Sequence, residues 1–163
     1  MFFTKKRNRE SNIQSLESLI ESARIISEDM YLDLVKRHPA EQLMDANKWR
    51  SVIFLTSLGT GLLNDSFAFK EDRMKKCLEL LGGALNQEAF NYLADYLKYI
   101  SNVVLTNGSN DELIYEYLGS WLYMSINQTN DFVEEKTPPY MFAGTLIYKT
   151  FNNFLDKNQF QIK

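Results

Sequence analysis

A chain of 163 residues with 45% hydrophobic and 24% charged side chains carries the apolar mass of one globular domain and is too short for two comfortable ones. Its formal net charge of −3 and its 13% aromatic content exclude the polar, strongly charged composition of a disordered chain. One cysteine, Cys77, and one histidine, His38, exclude an internal disulfide framework and a Cys/His zinc site, so the reducing cytoplasm is the expected location.

Residues 1–9 hold Lys5, Lys6, Arg7 and Arg9 and lack the apolar core of a secretory signal; residues 1–10 are expected to form a flexible basic tip. Ser11-Asn12-Ile13-Gln14 reads as a capping box that opens the first helix. Ile13, Leu16, Ile20, Ala23, Ile26, Met30 and Leu34 then recur every three or four residues, one stripe of an amphipathic helix that Lys36, Arg37 and Pro39 close.

A second helix is expected from the first turn at Pro39 through Trp49 into Val52-Ile53-Phe54-Leu55. It is apolar all round and should run through the middle of the core. Gly59 and Gly61 are expected to interrupt or end it, each weakening a helix by about 1 kcal/mol relative to alanine. The two glycines lack the strand before them and the Lys-Ser/Thr after them that a phosphate loop needs, and close packing of a neighbouring helix against Ser57 and Gly61 explains their spacing more simply.

Met74, Cys77, Leu78 and Leu81 give a third helix ending at Gly82-Gly83, with Cys77 on its inner stripe as a small hydrophobe. The fourth begins near Asn86 with two adjacent apolar stripes: Phe90, Leu93, Leu97, Ile100, Val104, and beside it Tyr92, Tyr96, Tyr99, Val103. Asn110-Asp111-Glu112 caps the fifth, which turns Ile114, Tyr117, Leu118, Trp121 and Leu122 inward. After a polar loop at 127–136, Thr137-Pro138-Pro139 starts the sixth, with Gly144, Ile147, Tyr148, Phe151 and Phe154 on one face. Residues 158–163 are expected to fray. The expected fold is therefore all-α, a compact single-domain bundle of about six helices spanning residues 11–157.

Few groups invite chemistry. His38 sits at a helix boundary before Pro39 and reads as a capping or turn residue, without the Gly-x-Ser-x-Gly elbow of a hydrolase triad elsewhere. Asp111, Glu112 and Glu116 suit a helix's first turn and lack the Glu-x-x-His partner of a di-iron site. The sequons at Asn64, Asn107 and Asn127 have no expected glycosylation route in a cytoplasmic chain. No uncharged stretch exceeds the fourteen residues of 51–64 and 117–130, too few for a membrane span. No cofactor or metal is expected, and no catalytic residue.

Charge is unevenly placed. Residues 10–45 carry eight acidic and three basic side chains, and residues 86–135 eight acidic and one basic, so a basic tip adjoins an acidic body. Nucleic acid is not an expected partner of such a body, and the basic cluster Lys70, Arg73, Lys75, Lys76 is interleaved with Glu71 and Asp72. Tyrosine and tryptophan crowd the last three helices, where their apolar rings and polar tips suit an interface. The expected function is a non-enzymatic interaction protein, an adaptor, regulator or inhibitor, that binds a protein or another copy of itself through Tyr92, Tyr96, Tyr99, Tyr115 and Trp121. The alternative is a sensor holding a small hydrophobic ligand in a cavity lined by Tyr96, Trp121 and Phe151.

Overall fold

The computed structural model describes the backbone of residues 2–38, 43, 45–63, 75–76, 79–80, 87–107 and 111–158, and their side chains except at 2–16, 63, 104–107, 111–112 and 151–158. The fold is all-α. Among the described residues five long helices follow one another: α1 (Phe2–Arg37), α2 (Ala46–Leu63), α3 (Gln87–Asn107), α4 (Asp111–Asn127) and α5 (Pro138–Asn158). A 3₁₀ turn, Glu134–Lys136, precedes α5. Of the expected third helix only Lys75, Lys76, Glu79 and Leu80 are described, all helical; Cys77, Met74, Leu78 and Leu81 lie outside the described residues.

α1 starts at Phe2, not at Ser11. Between these positions stand lysine, arginine and glutamate, good helix formers with no glycine or proline among them, so the potential cap at Ser11 is passed inside the helix. Ile20, Ala23, Met30 and Leu34 of its expected stripe are buried, joined by Leu19 and Tyr31, and Ile26 is partly buried against them. α2 begins at Ala46, where Asp45 Oδ1 accepts the Lys48 backbone N–H at 3.1 Å and serves as its N-cap; Pro39, the expected start, lies outside the described residues.

The two glycines do not end α2, which continues through them to Leu63. A Cβ on Gly59 would stand 2.5 Å from Cδ1 of Tyr96, and one on Gly61 2.5 Å from Cδ1 of Leu19. Their lost helix propensity is offset by letting α3 and α1 approach on two sides. Buried Ser57 faces Ser27 of α1 at 3.4 Å, so the small-residue spacing marks a helix contact.

α2 is the central helix and touches α1, α3, α4 and α5. Leu19 meets Gly61 while Glu28 pairs with Arg50, so α1 runs antiparallel to α2. Thr56 meets Tyr92 and Thr60 meets Tyr96, so α3 runs parallel to it, with one turn of each helix in register. α4 is antiparallel to α3 and α5 antiparallel to α4, as the pairs Tyr92–Trp121, Tyr99–Tyr117, Tyr115–Tyr148 and Tyr123–Tyr140 show. The core between them includes Trp49, Ile53, Leu58, Leu93, Leu118, Leu122 and Ile147. Surface charge adds little: Arg50 reaches Glu28 at 3.0 Å and lies over the Tyr31 ring at 4.6 Å, and an exposed pair of this kind contributes about 0–1 kcal/mol. Among the described residues no helix is long and apolar enough to cross a membrane.

Candidate functional site

Helical spacing brings Tyr92, Tyr96 and Tyr99 to the side of α3 that faces α4, where Trp121 stands between them. Its ring centroid lies 5.5 Å from that of Tyr92, 5.4 Å from Tyr96 and 5.1 Å from Tyr99. Tyr117, one turn earlier on α4, packs edge-on against Tyr99 at 6.5 Å. Four of the five expected binding residues are thus one aromatic seam. Tyr115 is not part of it: it sits on the other side of α4, edge-on to Tyr148 of α5 at 5.1 Å and 5.8 Å from the Lys149 ammonium.

Depth divides the seam. Tyr96 is 0% exposed and presents nothing to a partner, a correction to its expected role. The cause is Gly59, which lets the ring lie directly on the α2 backbone. Tyr92, Tyr99, Tyr117 and Trp121 are half-buried.

The polar tips are satisfied internally. Thr60 Oγ1 donates to the Thr56 carbonyl at 2.7 Å, so its hydrogen is committed and the Tyr96 hydroxyl must donate to it across their 2.7 Å contact. The Trp121 indole N–H donates to the Tyr92 hydroxyl at 2.8 Å, and the same oxygen bonds Thr56 Oγ1 at 2.8 Å. The Tyr99 hydroxyl donates to the Tyr117 carbonyl at 3.2 Å. A buried hydroxyl left without such a partner would cost about 1–3 kcal/mol, so the threonines of α2 and the tyrosines of α3 hold one another in register.

Burial disfavours the phenolate. It raises the pKa of Tyr92 and Tyr96 and, with the neighbouring Tyr117, pushes Tyr99 up to about 12; Tyr140 is also raised. Because these folded-state values lie above the unfolded value near 10, their contribution to stability is complete below pH ~10 and is lost as pH climbs through the folded-state values. We expect the denaturation midpoint to hold up to pH ~9.5 and fall steeply above it. The tyrosinate absorbance near 295 nm that belongs to Tyr92, Tyr96, Tyr99 and Tyr140 should appear only as the protein unfolds. Ionisation of these four near pH ~10 with the fold intact would refute this.

A second aromatic group lies at the far end of α4. Trp49 stacks on Tyr140 at 4.7 Å, Tyr140 meets Tyr123 edge-on at 4.9 Å, and Tyr123 stacks on Phe132 at 4.9 Å. Asn127 Nδ2 bridges them, donating to the Tyr140 hydroxyl at 2.9 Å and the Tyr123 carbonyl at 3.0 Å. Phe132 and Val133 break the expected polarity of the loop: they are 47% and 39% exposed. Two adjacent apolar residues inside a polar run were the available signal. Ile25, Leu32 and Val35 are also exposed, on the side of α1 away from the core.

The remaining candidates do not converge. His38 packs 6.0 Å from the Phe142 ring, which also lies 5.0 Å from the Arg37 guanidinium. Glu116 is exposed, and the side chains of Asp111, Glu112 and Phe151 lie outside the described residues. Among the described residues no three His, Cys, Asp or Glu side chains gather as a metal site would require. Where a ligand cavity was expected, Tyr96 and Trp121 are in ring contact. Comparison with protein-family models, with curated proteins and with solved structures finds no significant match to this chain.

Proposed function

We propose that this chain is a non-enzymatic interaction protein that binds a protein partner along the α3–α4 aromatic seam. The observation that carries the reading is the row of half-buried rings, Tyr92, Tyr99, Tyr117 and Trp121, packed on one another where α3 faces α4. Such rings supply large contact area at little entropic cost, because packing and hydrogen bonds already hold them. The Tyr92 and Tyr99 hydroxyls and the Trp121 indole are held in internal bonds. The surrounding stretch 86–135 is strongly acidic and would steer a basic partner toward the seam. The single cysteine agrees with a cytoplasmic site of action.

The test is capture from extract of the native host with wild type, Tyr117→Arg and Tyr99→Arg as baits. A protein retained by wild type and lost with both variants, whose melting temperatures stay within a few degrees of wild type, supports the seam. Equal retention by all three baits, or nothing retained over a control resin, overturns it.

A further inference from the structure

The connection between α4 and α5 is a built feature. Gln128 leaves α4 with φ 53° and its N–H on the Met124 carbonyl at 2.8 Å. The Tyr123 hydroxyl then clasps the tip, donating to the Asp131 carbonyl at 3.1 Å and accepting the Val133 N–H at 3.2 Å, while its ring lies under Phe132. Beyond the tip, Lys136 N–H bonds the Val133 carbonyl at 2.9 Å, and Thr137 Oγ1 bonds the Glu134 carbonyl at 2.8 Å. This fixed tip holds two large apolar side chains in water, flanked by exposed Asp131, Glu134 and Glu135. An apolar pair that is already ordered loses little entropy on docking, and its acidic flanks select an apolar segment with basic neighbours.

The chain carries a segment of that chemistry: Phe2 and Phe3, followed by Lys5, Lys6, Arg7 and Arg9, at the N-terminal end of α1. It cannot reach the tip of its own molecule. The tip leads into α5, where Phe142 packs against Arg37 and His38 at the C-terminal end of α1. At about 1.5 Å per residue the start of α1 lies roughly 50 Å from that end.

We propose that the protein self-associates, the apolar and basic N-terminal end of α1 in one copy docking on the acidic tip Asp131–Glu135 of a second. Two copies side by side and antiparallel make the contact twice and close the pair. The inference is independent of the aromatic seam, which lies elsewhere on α3 and α4.

Sedimentation of the full chain tests it. At about 50 mM salt and tens of micromolar protein, the mass should exceed the 19.0 kDa of one chain, approaching twice that value. At about 0.5 M salt, where charges are screened beyond a few ångströms, it should return to one chain. Two charge-reversed proteins give the decisive arm: one with Lys5, Lys6, Arg7 and Arg9 changed to Glu, the other with Asp131, Glu134 and Glu135 changed to Lys. Each alone should sediment as a monomer, and an equimolar mixture should regain the complex, since both pairings become complementary. Phe132→Ser should weaken association at least tenfold with an unchanged melting temperature. A wild type monomeric at every salt concentration, a reversed variant that associates unaided, or a mixture that stays monomeric would overturn the inference. Any of these leaves the seam reading standing, since that reading is tested by capture of a different protein.

Discussion

Replacing Gly144 by alanine should lower the melting temperature by about 5–10 °C, a loss of roughly 2–3 kcal/mol for a domain of this size. Gly144 of α5 crosses Gly119 of α4 so closely that an added Cβ would lie 2.6 Å from the Gly119 nitrogen and 3.1 Å from its Cα. Those atoms are backbone and cannot rotate away, so the two helices must part and open gaps along their shared face. Overpacking of this kind costs about 1–3 kcal/mol, and here it acts at the seam of two whole helices, outweighing the ~1 kcal/mol that alanine returns as helix propensity. Gly61→Ala is the control. Its new methyl would press on the δ-methyls of Leu19, a side chain with torsions to give, and the melting temperature should change by no more than a few degrees. Thermal scans of both proteins decide the matter. Gly144→Ala melting with wild type would mean that α4 and α5 do not cross at their glycines.

Trp49→Ala should be more damaging still. Trp49 is 1% exposed and stacked on Tyr140, and truncating a buried tryptophan costs about 3–5 kcal/mol, with the lost ring stack as part of the effect. Against a total stability of about 5–15 kcal/mol, the variant should begin to unfold 10 °C or more below wild type. The damage should spread along one route. Tyr140 holds Asn127 and touches Tyr123, which in turn clasps the 128–137 connection, so that connection should be the first site of limited proteolysis in the variant. Denaturant titration followed by circular dichroism gives the first quantity and peptide mapping after brief trypsin treatment the second. A loss below ~1 kcal/mol would show that Trp49 is not packed against α5.

How far the sequence alone reached is visible in single residues. The stripe Ile20, Ala23, Met30, Leu34 is legible because an amphipathic helix repeats its apolar residues at its own period. Asp111 and Pro138 open α4 and α5 as expected, since a helix start needs only the residue itself and the next turn. The aromatic seam was half-legible: the Tyr92, Tyr96, Tyr99 spacing places the rings on one side of α3, and nothing local says that Tyr96 is sealed and its neighbours half-buried. Tyr115 shares the composition of that group and the opposite side of its helix.

What the sequence determined by itself is the helical class, the apolar stripes and the acidic character of the C-terminal half, all properties of residues acting on their near neighbours. Tertiary structure alone decided the rest. Gly59 and Gly61 read locally as breakers and act as clearance for Tyr96 and Leu19, because the meaning of a missing Cβ depends on which helix lies against it. Ser11 has the form of a cap and is passed over, while Asp45 is used. Phe132 and Val133 stand on a tip held by the Tyr123 hydroxyl, which bonds Asp131 and Val133 eight and ten residues further on, and contacts of that kind have no period to read.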